Sequence, residues 1–348
     1  MAYTTGSSPQ SVAIGDFNND TRLDIVAANY GDDSISVLLG YDIGALGNEI
    51  SFAAADGSLL QGVVVSDVNN DTLLDMIVAN YGTNTIGVFL GHDNSTFENQ
   101  LKFSMVLNSH PYTIAIGDFN TDGQADISVA DRGTKSIALL LGNGNETFQI
   151  QDSHGRNYEF PPLFIGAGDF NNDSRSDIVV AYDGTDNIDV LVAYESGSFT
   201  KHMIYSVGTS PQCVTVADLN KDTLLDIVVA NGNDNNISVL LGYGNGSFGN
   251  QMAYSTGSYP QSLAFGDFNS DTQLDIVVAN RDKNTVSVLL GYGNGSFANQ
   301  MMYSTDSYPQ SVGVGDFNRD TRLDIVVANG GSNTVSVLLG FGNGSFAE

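Results

Sequence analysis

The feature that most constrains this chain is a short acidic pattern, Asp-x-Asn-x-Asp-x-x-x-Asp, which recurs in one register. It begins at Asp16, Asp67, Asp118, Asp169, Asp218, Asp267 and Asp316, at intervals of 51, 51, 51, 49, 49 and 49 residues. A unit repeated at such a period cannot bury its apolar face alone and must stack on its neighbours. We therefore expect residues 1–348 to form a single domain of seven repeats of 49 to 51 residues, with no linker.

The residue pattern within a unit predicts β-strands and no helix. In unit 7, residues 311–317 alternate with a period of two, residues 323–328 are a β-branched apolar run, and residues 334–339 make a third strand. An Asn-Gly hairpin turn follows at 342–345, and unit 6 continues past its own turn with a fourth strand at 300–304. Four short antiparallel strands per unit are typical of a propeller blade. The predicted fold class is all-β, a seven-bladed β-propeller.

The two ends of the sequence are complementary. Unit 7 stops after Phe346, before its fourth strand, and Met1 falls where Met252 falls in unit 5. We therefore expect residues 1–6 to pair into blade 7, so that the N-terminal strand completes the last blade and closes the ring. Closure removes the open edges that an array of blades would expose. An open solenoid or a pair of β-sandwiches is the alternative, and uniform units with complementary ends disfavour both.

Each acidic loop offers oxygen ligands at positions 1, 3, 5 and 9, counted from its first Asp, and the main-chain carbonyl of position 7 can fill the gap. Hard oxygen ligands at this spacing suit Ca²⁺, as in the first part of an EF-hand loop. We predict up to seven calcium ions, one per blade. The candidate ligands are Asp16, Asn18, Asp20, Arg22, Asp24, Asp67, Asn69, Asp71, Leu73, Asp75, Asp118, Asn120, Asp122, Gln124, Asp126, Asp169, Asn171, Asp173, Arg175, Asp177, Asp218, Asn220, Asp222, Leu224, Asp226, Asp267, Asn269, Asp271, Gln273, Asp275, Asp316, Asn318, Asp320, Arg322 and Asp324.

The distribution of charge favours the same interpretation. The chain has 40 acidic and 12 basic residues, a formal charge of −28, and the loops alone hold 21 of the acids. Three carboxylates in one turn repel each other without a counter-ion. Solvated turn residues are the alternative, which we would favour for one match but not for seven, and a halophilic protein would scatter its acids. The charge makes nucleic acid and anionic membranes poor partners, and no apolar run approaches the ~20 residues of a membrane span, so we expect no membrane insertion.

These residues resemble the FG-GAP/VCBS repeat family, whose repeats build integrin α-subunit propellers and many surface proteins. The resemblance covers the whole chain and rests on the loops, on Gly-Asp-Phe-Asn at 15–18, 266–269 and 315–318, and on Gly-Asn-Gly-Ser-Phe at 244–248, 293–297 and 342–346. It implies calcium between the first and second strands of each blade. It also implies a role in adhesion or ligand display, outside the cell or on its surface. Residues 1–6 carry no secretory signal, and we expect the chain to derive from a longer parent.

The sequence departs from the family at loop position 6, where the family has Gly. This chain has Gly only at Gly123, and Thr or Ser in the other six loops: Thr21, Thr72, Ser174, Thr223, Thr272 and Thr321. If that position requires a positive φ, a β-branched residue there costs of order 1–3 kcal/mol. The six sites would then bind calcium more weakly.

We expect a non-enzymatic recognition module, a monomer or part of a larger chain, that binds a protein or a glycan on the face opposite the loops. We predict that face from the loops that join second to third strands and from the connections between blades: Asn29-Tyr30, Asn80-Tyr81, Asp131-Arg132, Tyr182-Asp183, Asn231-Gly232, Asn280-Arg281 and Asn329-Gly330, with Gln10, Gln212, Gln261 and Gln310 nearby. The same turn residues could be purely structural. A calcium-dependent carbohydrate-binding lectin is the alternative function.

A polysaccharide lyase or hydrolase is less favoured, because the sequence does not visibly assemble the cluster of His, Tyr, Lys or Arg residues that such an enzyme needs. The four histidines occupy unrelated places in their units. The only cysteine, Cys213, stands where other first strands have Ser, which predicts a packed thiol and not a reactive one.

Overall fold

The chain forms a ring of seven four-stranded antiparallel sheets, in a computed structural model that describes residues 1–41, 44–92, 96–154, 159–194 and 198–347. The predicted seven-bladed β-propeller is therefore confirmed. Blade 1 contains β2 (Pro9–Gly15), β3 (Asp24–Asn29), β4 (Ser34–Leu38) and β5 (Ile50–Ala53). Blade 7 contains β26 (Pro309–Gly315), β27 (Asp324–Asn329), β28 (Thr334–Leu338) and, from the other end of the chain, β1 (Ala2–Thr4).

The five blades between them have the same strand order. Blade 2 contains β6 (Leu60–Ser66), β7 (Asp75–Asn80), β8 (Thr85–Phe89) and β9 (Leu101–Ser104). Blade 3 contains β10 (Pro111–Gly117), β11 (Asp126–Asp131), β12 (Ser136–Gly142) and β13 (Phe148–His154). Blade 4 contains β14 (Pro162–Gly168), β15 (Asp177–Tyr182), β16 (Asn187–Tyr194) and β17 (Ser198–Ser206). Blade 5 contains β18 (Pro211–Ala217), β19 (Asp226–Asn231), β20 (Asn236–Leu240) and β21 (Met252–Ser255), and blade 6 contains β22 (Pro260–Gly266), β23 (Asp275–Asn280), β24 (Thr285–Leu289) and β25 (Met301–Ser304).

The N-terminal strand closes the ring as predicted. It pairs antiparallel with the third strand of blade 7, in the register Ala2↔Ser336, Tyr3↔Val335 and Thr4↔Thr334. The pairing continues beyond the strand, since the amino group of Met1 donates to the carbonyl of Val337 at 2.8 Å. The two termini are thus held in one sheet.

The hydrophobic core lies between neighbouring blades. Each second strand is buried along its whole length, as the β-branched apolar runs predicted. Seven clusters of buried side chains each join two adjacent blades. One of these clusters joins blade 7 to blade 1 and includes Val335, Ile25 and the partly buried Tyr3. Burial therefore drives closure as well as stacking.

Helical structure is minimal in the described part of the chain. A short 3-10 turn, Arg281–Lys283, links the second and third strands of blade 6. None of the described helices has the length and apolarity that a membrane crossing requires.

Candidate functional site

The seven acidic loops each join the first strand of a blade to its second strand, so they all lie on one face of the ring. The carboxylate at position 1 organises each loop. In blade 1, Oδ1 of Asp16 accepts a hydrogen bond from the N–H of Asp20 at 3.1 Å, and Oδ2 accepts one from the N–H of Thr21 at 2.7 Å. The same two bonds recur in every other loop.

Positions 3 and 5 face each other across the same turn. Asn18 Oδ1 accepts from the N–H of Asp20 at 3.0 Å, and Asn18 Nδ2 donates back to Asp20 Oδ2 at 3.2 Å. The other oxygen of Asp20 accepts from the N–H of Arg22 at 2.8 Å. This triple contact is also found in all seven loops. Two carboxylates and one amide are therefore held within one tight turn.

Position 6 has a positive φ in every loop, which is the condition under which the sequence predicted strain there. The angles are +68° at Thr21, +72° at Thr72, +78° at Gly123, +67° at Ser174, +69° at Thr223, +68° at Thr272 and +68° at Thr321. A β-branched residue is strained in this left-handed region. The hydrogen bond from the N–H of position 6 to the carboxylate at position 1 helps to hold the strained residue in place.

The Asp at position 9 lies inside the blade. Asp24 is 0% exposed, and its two oxygens accept hydrogen bonds from the N–H of Phe17 at 2.9 Å and of Gly40 at 2.7 Å. Gly40 follows the third strand, so this carboxylate ties the loop to the strand beyond it. Burial raises the pKa of Asp24 to about 6, although the two N–H donors oppose the shift. The equivalent residues of the other six loops make the same two bonds, and burial likewise raises their pKa to about 6.

The loops fit a hard cation by donor chemistry. Positions 1, 3 and 5 supply carboxylate and amide oxygens at the surface, with the carboxylate of position 9 behind them. The acids at positions 1 and 5 are close enough to raise the pKa of the position 9 acid by their charge. Among the described residues, no group of three or more His, Cys, Asp or Glu side chains is close enough to hold a metal ion. The carboxylate at position 9 bonds backbone N–H groups of its own blade, a contact that the spacing of the pattern did not predict.

Exposed aromatic side chains accompany the loops on the same face. They follow the third strands of their blades: Tyr41 is 54% exposed, Tyr243 62%, Tyr292 65% and Phe341 53%. The hairpins that carry them pack on the acidic loop of the preceding blade. The N–H of Gly246, for example, donates to the carbonyl of Phe170 at 2.8 Å. The face is therefore both acidic and aromatic.

The opposite face differs in part from the prediction. The first residue of most predicted pairs lies inside its blade: Asn29, Asn80, Asn231, Asn280 and Asn329 are 0% exposed and bond side chains of the third strand. Tyr182 is buried as well, at 5% exposed. These residues face inward because they end the fully buried second strands, so they cannot contact a partner.

The second residues of the pairs, except the buried Gly232, are partly exposed, and aromatic and basic groups combine there. Tyr81 stacks on His110 with ring centroids 4.7 Å apart, and Tyr112 lies beneath the guanidinium of Arg132 at 5.3 Å. In blade 6, Arg281 lies over Tyr259 at 4.2 Å. We call this surface the tyrosine–arginine face.

A cavity of about 230 Å³ lies on the propeller axis, between the first strands of the blades. Its lining includes Gln10, Gln212, Gln261 and Gln310, which the sequence placed near the recognition face, together with Gln61 and Tyr112. Cys213 belongs to the same lining but is only 2% exposed, and burial raises the pKa of its thiol to about 12. The prediction of a packed, unreactive thiol is consistent with this environment.

The structure also assembles one side-chain cluster that sequence reasoning missed. Tyr182 Oη donates to Asp189 Oδ2 at 2.6 Å, and His202 Nε2 lies 2.6 Å from the same oxygen. The three residues come from β15, β16 and β17, three adjacent strands of blade 4. Comparison of the units position by position could have found them, because blades 5 and 6 have Asn, Ser and Gln at these places.

Comparison with known sequences identifies the repeat. A family profile described as an FG-GAP-like repeat matches residues 16–78, 67–129, 118–180, 169–229, 218–278 and 267–327. Each match begins at the first Asp of an acidic loop and ends in the second strand of the following blade. No curated protein has a significantly similar sequence.

Comparison with solved structures shows the same propeller fold in proteins of unrelated activity. BBS1N, in its complex with ARL6DN, has a TM-score of 0.67 at 11% identity, covering 97% of this chain and 94% of that chain. Virginiamycin B lyase from Staphylococcus aureus has a TM-score of 0.67 at 12% identity, covering 96% and 97%. A lectin from Agrocybe aegerita that recognises non-reducing terminal N-acetylglucosamine has a TM-score of 0.60 at 15% identity, covering 92% and 86%. At such identities the likeness establishes the fold alone.

Proposed function

Because the chain belongs to the FG-GAP-like repeat family, we propose that it is a calcium-binding recognition module without enzymatic activity, working outside the cell or on its surface. The observation that carries this proposal is the sevenfold recurrence of one oxygen-rich turn, with the same hydrogen bonds in each copy. Ordinary surface turns have no reason to repeat such a charged arrangement in every blade.

In each loop, some residues would bind the ion and another holds the loop to its blade. In blade 6, Asp267, Asn269 and Asp271 would hold the ion at the surface, with the main-chain carbonyl of Gln273 as a further ligand. Asp275, the remaining candidate ligand, lies behind them and accepts two hydrogen bonds from backbone N–H groups, so it supports the loop whether or not it also reaches the ion. Bound calcium would supply the positive charge that three neighbouring carboxylates lack.

The strain at position 6 supports a location outside the cell. Six of the seven loops hold Thr or Ser at a positive φ, which weakens a site relative to one with Gly. Calcium modules with dissociation constants of roughly 10⁻⁴ to 10⁻³ M work in extracellular fluids, where such sites can fill. Weak sites would remain empty at cytosolic calcium concentrations.

The tyrosine–arginine face is the surface on which we propose that a protein or glycan partner binds. Tyrosine and arginine dominate binding energy at interfaces, because they combine large apolar area with hydrogen-bonding groups. The stacked pairs Tyr81–His110 and Arg132–Tyr112 are partly exposed and already ordered, which lowers the entropic cost of binding.

A calcium-dependent lectin is the second candidate, and the exposed aromatics beside the acidic loops favour it. Tyr243 and Tyr292 are more than half exposed and could stack on sugar rings. A glycan array read with and without calcium separates the two functions. Binding that is lost in Tyr243→Ser but kept in Arg132→Ala would identify the loop face as a lectin surface, and the reverse would favour a partner on the tyrosine–arginine face.

Removal of calcium tests the central proposal. A ligand that binds only the folded state stabilises it by about 2.7 kcal/mol per site at a hundredfold excess over its dissociation constant. We therefore expect a metal-free preparation to melt far below the calcium-loaded protein, and magnesium to restore little of the difference because it retains its water shell. Isothermal titration gives the number of ions per chain. Equal melting temperatures with and without calcium would show that the loops are ordinary turns.

A further inference from the structure

Blade 4 replaces a neutral hydrogen-bond network with a titratable one. In blades 5 and 6, three positions on the second, third and fourth strands carry Asn, Ser and Gln, linked by side-chain hydrogen bonds: Asn231, Ser238 and Gln251, and Asn280, Ser287 and Gln300. In blade 4 the same three positions carry Tyr182, Asp189 and His202. All three have changed together, and both outer residues now bond one oxygen of Asp189.

These three residues line a pocket of about 290 Å³ that presents hydrogen-bond acceptors. Asp189 is only 6% exposed, and within the described part of the chain its second oxygen, Oδ1, accepts no hydrogen bond. In the neutral tautomer of His202 whose Nε2–H donates a hydrogen bond to Asp189, Nδ1 is an acceptor, and the side chain is about half exposed. Glu159 belongs to the same lining.

Apolar side chains form the rest of the pocket wall. Phe160 is 38% exposed and Ile204 is 62% exposed, although both are large and hydrophobic. A ligand that covered them would remove apolar surface from water, which contributes about 25 cal/mol per Å². The pocket therefore suits a ligand with an apolar stem and a head that donates hydrogen bonds.

We propose that this pocket binds a primary ammonium group on a short alkyl stem. The open oxygen of Asp189 is an acceptor, the lining includes a second acidic residue, Glu159, and the molecule carries a formal charge of −28, so an anion would be repelled. An ammonium group offers three donors and no acceptor, whereas each sugar hydroxyl offers one donor and no charge. The lining already attracts such a group from the chain itself, because Lys135 Nζ donates to the carbonyl of Glu159 at 2.9 Å. The proposal does not depend on calcium in the loops.

Calorimetric titration of the full chain with n-butylammonium chloride tests the proposal, in about 0.15 M salt to screen binding to the acidic surface. The variant Asp189→Ser introduces the residue that blades 5 and 6 have at this position. Asp56→Ser is the matched control, because it removes the same charge at an exposed site in the connection between blades 1 and 2. We expect one site per chain, affinity at least about tenfold weaker in Asp189→Ser, and no change in Asp56→Ser. Equal binding by wild type and Asp189→Ser would overturn the proposal.

Two further ligands and one further variant remove the remaining ambiguities. If 1-butanol binds as tightly as butylammonium, the pocket recognises only the stem, and if methyl glucoside binds instead, it is a carbohydrate site; either result contradicts the proposal. The triple variant Tyr182→Asn, Asp189→Ser and His202→Gln recreates the network of blade 5, so it is expected to fold with an unchanged melting temperature and not to bind. Should it fail to fold, the imidazole NMR signals of His202 in the wild-type chain still decide, since butylammonium must perturb them.

Discussion

Asp131 is a buried acidic residue at a position where most blades have a neutral one. It ends the second strand of blade 3, where five other blades have a buried Asn, and it is 1% exposed. Its Oδ1 has no hydrogen-bond partner, and the third-strand residue that is Ser in blades 5 and 6 is Ala138 here. Burial alone raises the pKa of Asp131 to about 7. A buried carboxylate without a donor destabilises the folded state whenever it is charged.

We predict that Asp131→Asn stabilises the protein at neutral and alkaline pH. The pKa of Asp131 is raised in the folded state, to about 7 from an ordinary value near 4, so the folded state binds the proton more tightly than the unfolded chain. The contribution of Asp131 to the free energy of unfolding is therefore fully present below pH ~4, where the acid is protonated in both states, and it is lost as the pH rises to about 7. The substitution should remove this loss and add roughly 1–3 kcal/mol at pH 8.

Urea unfolding at pH 5 and pH 8 measures the effect. Asn280→Asp is the matched reverse change, since Asn280 holds the same place in blade 6 and is 0% exposed. It should introduce a loss of stability between the two pH values. An Asp131→Asn protein with the same pH dependence as the wild type would contradict the prediction.

At the scale of the element, the acidic loop and the third strand of a blade form one hydrogen-bonded unit. The carboxylate at position 9 connects them, as Asp275 does in blade 6 through the N–H groups of Phe268 and Gly291. Asp271, at position 5 of the same loop, is exposed and bonds only within the loop. The two acids therefore have different roles, although both are candidate calcium ligands.

We predict that Asp275→Ala destabilises the protein with or without calcium, whereas Asp271→Ala does so mainly when calcium is present. Loss of Asp275 leaves two buried N–H groups without an acceptor, at about 1–3 kcal/mol each. Loss of Asp271 removes a candidate ligand but leaves no buried group unpaired. Unfolding of both variants in EDTA and in excess calcium measures the difference. A cost of Asp275→Ala that disappears in EDTA would show that this carboxylate serves the metal alone.

At the scale of the whole molecule, stability depends on closure of the ring. Each blade packs on two neighbours, and the contact between blades 7 and 1 is completed by the N-terminal strand. Without that strand, the buried side chains of Val335 and Val337 would become more exposed to water, and the third strand of blade 7 would present an open edge.

We predict that deletion of residues 1–6 lowers the melting temperature of the whole ring. As a control, the residues Gln-Met-Ala-Tyr-Thr-Thr-Gly appended after Glu348 of the truncated chain should restore stability, because blades 5 and 6 continue from their hairpins into the fourth strand in this way. Scanning calorimetry compares the three proteins. Equal melting temperatures for the full and truncated chains would mean that the N-terminal strand does not hold the ring closed.

The sequence by itself determined the features that are local or repeated. The strands of unit 7 were predicted within two residues of their observed bounds, and the family's Gly at loop position 6 pointed to the positive φ that is observed there. The seven blades and their closure also followed, since a repeat that cannot bury its own face must stack in a ring or an array.

Only the tertiary structure decided which side chains meet across strands. The second bond of Asp24 is to Gly40, 16 residues away, and depends on strand register that a spacing pattern does not contain. Register also turned Asn29 and its equivalents inward, away from the face on which they were expected. It brought Tyr182, Asp189 and His202 onto one oxygen from three separate strands. Hydrophobic periodicity specifies the face of a strand on which a residue lies, but the neighbour that it meets is fixed only when the strands pair and the blades pack.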